Sequence, residues 1–135
     1  MRKLAILLIA AAAVTLVWLQ VVRSNRLPDE PQPIAWDREP CAECRMHIGE
    51  PGFAAQLVLD DGRVLNFDDP GCLLKYVREQ QPRIHRAWVH HRTDDRWLPL
   101  DQAGFVAADH SPMGYKLAAV DPGTPGARDW KAVQP

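Results

Sequence analysis

FAAQLVLDDGRVLNFDDPGC, running from Phe53 to Cys72, is the stretch that decides the fold. Phe53 to Leu59 is rich in apolar residues and ends at Asp60-Asp61-Gly62, where Asp-Gly readily supplies the positive φ of a tight turn. Arg63 to Phe67 then alternates apolar and polar side chains, so the two runs predict a β-hairpin. Asp68-Asp69-Pro70-Gly71 follows and offers carboxylates as helix N-caps. Cys72 to Glu79 carries Leu73, Leu74, Tyr76 and Val77 on one face of a predicted helix, which Gln80-Gln81-Pro82 ends.

Immediately upstream lies Cys41-Ala42-Glu43-Cys44-Arg45-Met46-His47, five metal-binding or redox-capable side chains in seven positions when Glu43 is counted. Thiolate and thioether ligands select Cu(I), while thiolates alone also suit zinc or iron–sulfur clusters. Structural zinc sites are built from Cys and His, so a Met beside Cys-x-x-Cys tilts toward monovalent copper. A disulfide, or a zinc knuckle with Met46 as core filler, is the competing reading. Pro51-Gly52 stops whatever turn or helical stub carries the cluster.

Toward the N-terminus, Arg23 to Pro40 holds Pro28, Pro31, Pro33 and Pro40 among polar residues. It reads as a stiff, extended spacer over residues 24–40, unless Ile34 and Trp36 dock as an edge strand. Leu4 to Val22 is apolar apart from Thr15 and Gln20, and ~20 such residues cross a bilayer. Arg2 and Lys3 before it resemble the charged start of a secretory signal. A small-residue cleavage site around Ala11 to Ala13 can be drawn, but Val14 to Leu19 continue the hydrophobicity, which favours an uncleaved anchor over residues 1–23. Arg2 and Lys3 favour an inside N-terminus, although Arg23 and Arg26 weaken the asymmetry. The expectation is a single-pass inner-membrane protein with its domain facing the periplasm; a cytoplasmic domain is the alternative.

The second half repeats the plan in shorter form. Ala87 to Arg92 and Trp97 to Leu100 flank polar Thr93 to Arg96 as a second hairpin. Asp101-Gln102-Ala103 starts a helical turn, and Phe105 to Ala108 and Tyr115 to Val120 read as strands. The fold class expected is therefore α+β, one small domain over residues 41–121. Its two hairpin-and-helix halves sit behind the N-terminal helix. Pro122, Gly123, Pro125 and Gly126 open a tail, 122–135, expected to be loosely ordered, with Trp130 its one anchoring candidate.

A chain of 135 residues with net charge −1 and 24% charged residues has no excess of either sign, which argues against a nucleic-acid partner. Three cysteines is an odd count. In an oxidising compartment one must be free, metal-bound or paired with another chain, so a homodimer sharing a metal stays open.

Soft-ligand candidates fall in three places: Cys41, Cys44, Met46 and His47; Cys72 at the helix start; and His110 with Met113 on the turn His110-Ser111-Pro112-Met113-Gly114. A Met on a tight turn is less expected than a Met in a core. Cys72 can be core or, at a helix N-terminus that favours thiolate, a third sulfur ligand. His90 and His91, on a predicted strand, point to opposite faces and read as surface or edge residues, as does His85. Asp68 and Asp69 fit turn and capping chemistry better than a general-acid pair. No Cys-His enzyme signature accompanies these residues, so a non-enzyme is expected. A thioredoxin-like enzyme using Cys41 and Cys44 would need a long helix opening at its Cys-x-x-Cys, where Gly49, Pro51 and Gly52 leave no room.

Taken in order, Cys41-x-x-Cys44-Arg45-Met46, Ala55-Gln56, Phe67-Asp68-Asp69-Pro70-Gly71-Cys72, the Trp97 region and Pro112-Met113-Gly114 resemble the NosL family of nitrous oxide reductase accessory proteins, over Pro40 to Val120. The resemblance implies a small α+β periplasmic domain that binds Cu(I) through sulfur and histidine. It also implies copper delivery toward a cuproenzyme, nitrous oxide reductase, or its assembly factors. It makes Cys44, Met46 and Met113 the leading ligands, with Cys41, His47, Cys72 and His110 behind them. Arg45 stands where that family has Gly, and Leu73 where a Met is common. The lipid-bearing Cys is absent. A zinc-stabilised module using Cys41, Cys44, Cys72 and a His is the runner-up, and a membrane-anchored thiol–disulfide oxidoreductase using Cys41 and Cys44 is the third reading.

Overall fold

The Asp-Gly turn closes as its residues dictate: Gly62 takes φ +86° and its N–H donates to the Leu59 carbonyl at 2.9 Å. That turn joins β1 (Ala55–Leu59) to β2 (Val64–Phe67), antiparallel, with Ala55 opposite Phe67 and Val58 opposite Val64. The computed structural model describes residues 2–24 and 26–133, and in the first helix the side chains of residues 6 and 8–22. Beyond β2 come α2 (Pro70–Gln80), β3 (Ile84–His90), β4 (Trp97–Pro99), β5 (Gly104–Ala107), β6 (Leu117–Val120) and β7 (Arg128–Asp129).

All five residues of β1 are buried, so a lone hairpin would leave one of its edges uncovered. β3 supplies the missing neighbour, setting Leu57 opposite Ala87 and Ala55 opposite Val89. The second hairpin does form, with Trp88 opposite Pro99 and His90 opposite Trp97. It extends the first sheet, however, instead of founding a separate half, and the order is β2-β1-β3-β4. Periodicity marks strands but not their long-range partners, hence the difference from two independent halves. The helical turn expected at Asp101 to Ala103 is a turn closed by Gln102 N–H to the Pro99 carbonyl. A second sheet, ordered β6-β5-β7, completes the α+β domain. Phe53, Leu57, Phe67, Leu73, Val89 and Phe105 lie in the shared core.

The tail carries more order than its Pro and Gly content implied. Arg128 and Asp129 pair with Phe105 and Gly104, and Trp130 packs against the core. Gly104 permits this approach, since a Cβ there would stand 2.9 Å from that of Ala127 and 3.0 Å from the Asp121 carbonyl oxygen.

The spacer is gripped by the domain from Gln32 onward. Gln32 N–H donates to Gln56 Oε1 at 2.7 Å, and Gln56 Nε2 donates back to the Gln32 carbonyl at 3.0 Å. Gln56 Nε2 also reaches Asn66 Oδ1, and Asn66 Nδ2 reaches Glu39 Oε1. Ile34 is buried while Trp36 is exposed, and neither lies in a strand. A fully buried carboxamide on β1 must be paired, and it finds its partner in the spacer backbone.

α1 spans Arg2–Ser24, with every described side chain exposed. Among the described residues no helix is long and apolar enough to cross a membrane. Met1, Asn25 and residues 134–135 lie outside the described residues. So do the side chains of Leu4, Ala5 and Leu7 in the apolar run, and of Arg2, Lys3 and Arg23, on which the expected orientation rests.

Candidate metal centre

The Cys41 to His47 segment is a turn clamped at both ends. Cys41 N–H donates to the Met46 carbonyl at 2.8 Å, Arg45 N–H to the Cys41 carbonyl at 3.1 Å, and Pro40 bridges to His47. Arg45 closes the turn at φ +68°, a conformation that suits glycine. Ala42 N–H reaches across to the Asn66 carbonyl on β2, so the turn lies over the end of the hairpin. The next residues of that hairpin lead through Asp68 and Asp69 into α2, whose third residue is Cys72.

Two distant stretches thereby meet. Ligand atoms of Cys41, Cys44, Asp68 and Cys72 all lie within 4.8 Å of one another. None of the three cysteines is in a disulfide. Cys41, Asp68 and Cys72 are buried, and Cys44 is half-buried. Glu43 is turned aside into an ion pair with Lys75.

The adjacent carboxylates divide their work because the backbone between them is extended, which sends successive side chains opposite ways. Asp69, at φ −148° and ψ 135°, caps α2: Oδ1 accepts Gly71 N–H at 2.8 Å and Oδ2 accepts Met113 N–H at 3.1 Å. Asp68 faces the thiols, its oxygens 3.3 and 3.5 Å from Cys44 Sγ. Capping is thus the work of Asp69 alone. Asp68 is the member of the cluster that sequence reasoning passed over; the extended alternation of a strand end was the signal that could have found it.

The thiols are not equivalent. Cys72 S–H donates to Cys41, and backbone N–H groups of Cys44, Asp68 and Glu43 converge on the same sulfur; against the opposing effect of burial, these hold the Cys41 thiol down at about 6. Cys72 is pushed well up by donating to Cys41 and by burial. Burial, then donation to Cys41 and Asp68, pushes Cys44 up to about 12 despite a Met46 backbone contact. The pocket therefore holds one thiolate and two thiols that a metal must deprotonate to bind.

The other predicted ligands lie at the surface, and neither His47 nor His110 belongs to this cluster. Met46 and Met113 are 60% and 41% exposed, and His47 and His110 are exposed. His110 Nε2 stands 3.3 Å from Glu50 Oε2 and its ring meets that of Phe53 edge-on.

His90 and His91, expected at the surface, are both buried. His90 is held by the His91 carbonyl and by Asp95 and stacks edge-on against Trp97. His91 Nδ1 accepts the N–H groups of Asp94 and Thr93. His91, Asp94 and Asp121 also converge within 4.8 Å, but Arg96 binds both carboxylates, at 3.2 and 2.6 Å. Its guanidinium supplies the positive charge a metal ion would bring. His85 is half-buried and pairs with Asp29.

A small α+β domain that gathers three thiols and a carboxylate where a strand end, a turn and a helix start meet has the donor set of a soft-metal binder. No protein-family model matches the chain, and no curated protein matches it in sequence. Among solved structures its fold matches that of the copper chaperone NosL from Shewanella denitrificans. The TM-score is 0.69, over 79% of this chain and 97% of that one, at 18% sequence identity. At that identity the likeness is one of fold.

Proposed function

We propose that this chain is a Cu(I) carrier, anchored by α1 in the inner membrane with its domain on the periplasmic side. Its copper passes to a cuproenzyme, nitrous oxide reductase or a related client, or to that enzyme's assembly factors. The observation that carries the reading is the convergence of Cys41, Cys44 and Cys72, on a fold shared with a copper chaperone, beside exposed thioethers at Met46 and Met113. Two or three soft ligands satisfy Cu(I), and low coordination leaves a side open to a partner's ligand. Thr15 is compatible with the anchor: its hydroxyl donates to the Ala11 and Ala12 carbonyls of its own helix, so this side chain needs no outside partner in an apolar surrounding.

One observation favours a zinc reading as well. Asp68 is a buried carboxylate whose side-chain partner is a thiol, a weak donor. Three thiolates and one carboxylate make a closed tetrahedral zinc set, with Asp68 in place of the expected His.

Metal analysis of the reduced, detergent-solubilised full chain, followed by Cu(I) competition against bathocuproine disulfonate, separates these readings. About one Cu(I) per chain retained against the chelator is expected. Stoichiometric zinc that Cu(I) cannot displace refutes the carrier, as does a metal-free chain with a readily reversible Cys41–Cys44 disulfide.

A further inference from the structure

Glu43 sits between the two cysteines of the clamped turn, yet its carboxylate does not join the thiol cluster. Lys75, on α2 three residues beyond Cys72, holds it instead. Its Nζ stands 2.5 Å from Glu43 Oε1, and the Glu43 side chain is only 12% exposed. A carboxylate so withdrawn from water depends on its cation, because removing one member of a buried pair leaves the other uncompensated. The pair therefore ties the turn of Cys41 and Cys44 to the helix that carries Cys72.

Lys75 also lines a groove of about 300 Å³ between α2, the start of β6 and the tail. Its apolar walls are Leu74, which belongs to the core, and Leu117 and Val133, which pack against it. Arg78 and Arg128 join Lys75 around the groove, and no carboxylate lines it among the described residues. Both arginines are exposed. Arg78 meets the adjacent Glu79 at 3.5 Å, a pair of little strength at the surface, and Arg128 forms no ion pair among the described residues. Tyr115 brings the groove up to the metal centre, since it lines the groove and rests on Gly71, one residue from Cys72.

We infer that this groove receives an acidic segment of the protein that takes the copper, with an apolar side chain among its carboxylates, and that its arrival loosens the turn of Cys41 and Cys44. The copper part of this rests on the carrier reading. Three cations with no carboxylate among them select an anionic partner, and the apolar walls favour one with a side chain to bury. A lipid surface matches the charge, but nothing in it takes up metal from the neighbouring pocket. A carboxylate of the segment placed at Lys75 competes with Glu43 for the same ammonium. Glu43 must then turn to water for its hydrogen bonds, which swings the turn away from α2 and draws Cys44 from Cys72 and Asp68. Lys75 is thus a positioning residue through which docking and release are linked.

The test uses the full chain, reduced, in a neutral detergent. The probe is a capped, fluorescein-labelled hexapeptide of four glutamates around one leucine and one phenylalanine, read by anisotropy. Saturable binding that weakens with added salt is expected. Arg78→Gln with Arg128→Gln, both exposed and so compatible with folding, should weaken it at least about fivefold, as for two exposed ion pairs, and leave Cu(I) retention without peptide unchanged. Saturating peptide should weaken Cu(I) retention against bathocuproine disulfonate at least about fivefold, and Cu(I) should weaken peptide binding by the same factor. Glu43→Gln should still bind the peptide but lose that coupling. Absence of binding that depends on the two arginines overturns the inference, as does equal binding of a peptide with lysines in place of the glutamates. So do an uncoupled wild-type chain that holds both Cu(I) and peptide, and coupling that survives Glu43→Gln. Arginine-dependent binding of a labelled short-chain phosphatidylglycerol, without binding of the peptide, would assign the groove to lipid and overturn it as well. A wild-type chain that binds the peptide but takes up no Cu(I) overturns the carrier reading and leaves the groove's partner class standing.

Discussion

Gly71→Ala sets two effects of opposite sign against each other. Gly71 is the second residue of α2, where general propensity makes Ala better than Gly by up to about 1 kcal/mol. A Cβ at this position would stand 2.0, 2.4 and 2.5 Å from Cγ, Cδ2 and Cβ of Tyr115, distances no packed atoms tolerate, so the Tyr115 ring must leave. Tyr115 is 46% exposed; burying about half of an aromatic side chain, on the order of 100 Å², contributes about 2.5 kcal/mol. If the loop lifts with it, the Met113 N–H to Asp69 bond is lost, roughly another 1.5 kcal/mol for a bond to a charged acceptor. The clash wins: the substitution should destabilise the domain by about 2–3 kcal/mol after the helical gain and partial loop relaxation. In a Tyr115→Ala background the clash is gone and the same change should stabilise slightly. Urea denaturation of the four proteins of this cycle, comparing midpoints at constant slope, decides it. A neutral or stabilising Gly71→Ala in the wild-type background would refute the packing of this loop on α2, as would an equal loss in both backgrounds.

Other consequences can be checked one by one. Arg45→Gly relieves a left-handed backbone worth about 1–2 kcal/mol and returns about 0.4–1 kcal/mol to the unfolded chain; a small rise in the urea midpoint is expected, and a fall would contradict the φ of +68°. Gln56→Leu leaves Asn66 and the Gln32 backbone without their buried partner and should cost about 3 kcal/mol. It should also speed hydrogen exchange at the Gln32 amide, which a spacer held by other means would not show. In the reduced, metal-free chain, thiolate absorbance near 240 nm should rise by one thiolate as pH increases through about 6. This step should vanish in Cys41→Ser. It should move upward in Cys72→Ala, which removes the donor that keeps Cys41 ionised; a step that Cys72→Ala leaves in place would argue against that bond. Because the folded value lies below that of a free thiol, the stability this group contributes is complete above the unfolded pKa and fades as pH falls through about 6.

Much of what positions the pocket is local and so could be read from residues in order. Asp60-Asp61-Gly62 predicts its turn because only a few residues take positive φ cheaply. Asp69 with Pro70 predicts the start of α2 because that end of a helix needs an acceptor and tolerates a missing N–H. What escaped reading depends on partners far along the chain. β3 lies on β1 because a strand buried at every position needs covering, and nothing in Ile84 to His90 names its neighbour. Arg128 and Asp129 form too short and polar a strand to show any alternation. His90 and His91 look like surface residues until Trp97, Asp95 and the His91 carbonyl are placed around them. Within the candidate metal centre, the turn of Cys41 and Cys44 and the helix start at Cys72 were each legible. Their meeting depends on Ala42 bonding to Asn66 across an intervening hairpin. The division of the soft ligands into buried thiols and exposed thioethers is likewise a property of packing, on which spacing is silent.

The grip of Gln56 on the spacer also sets a leash length. With Gln32 fastened to β1, the chain between Ser24 at the end of α1 and the domain is residues 25–31, seven residues that reach at most about 25 Å when fully drawn out. On the proposed reading, in which α1 is held in a membrane, a domain moored this closely would sweep a shallow shell above that surface, and a protein taking metal from it would have to meet it at that height.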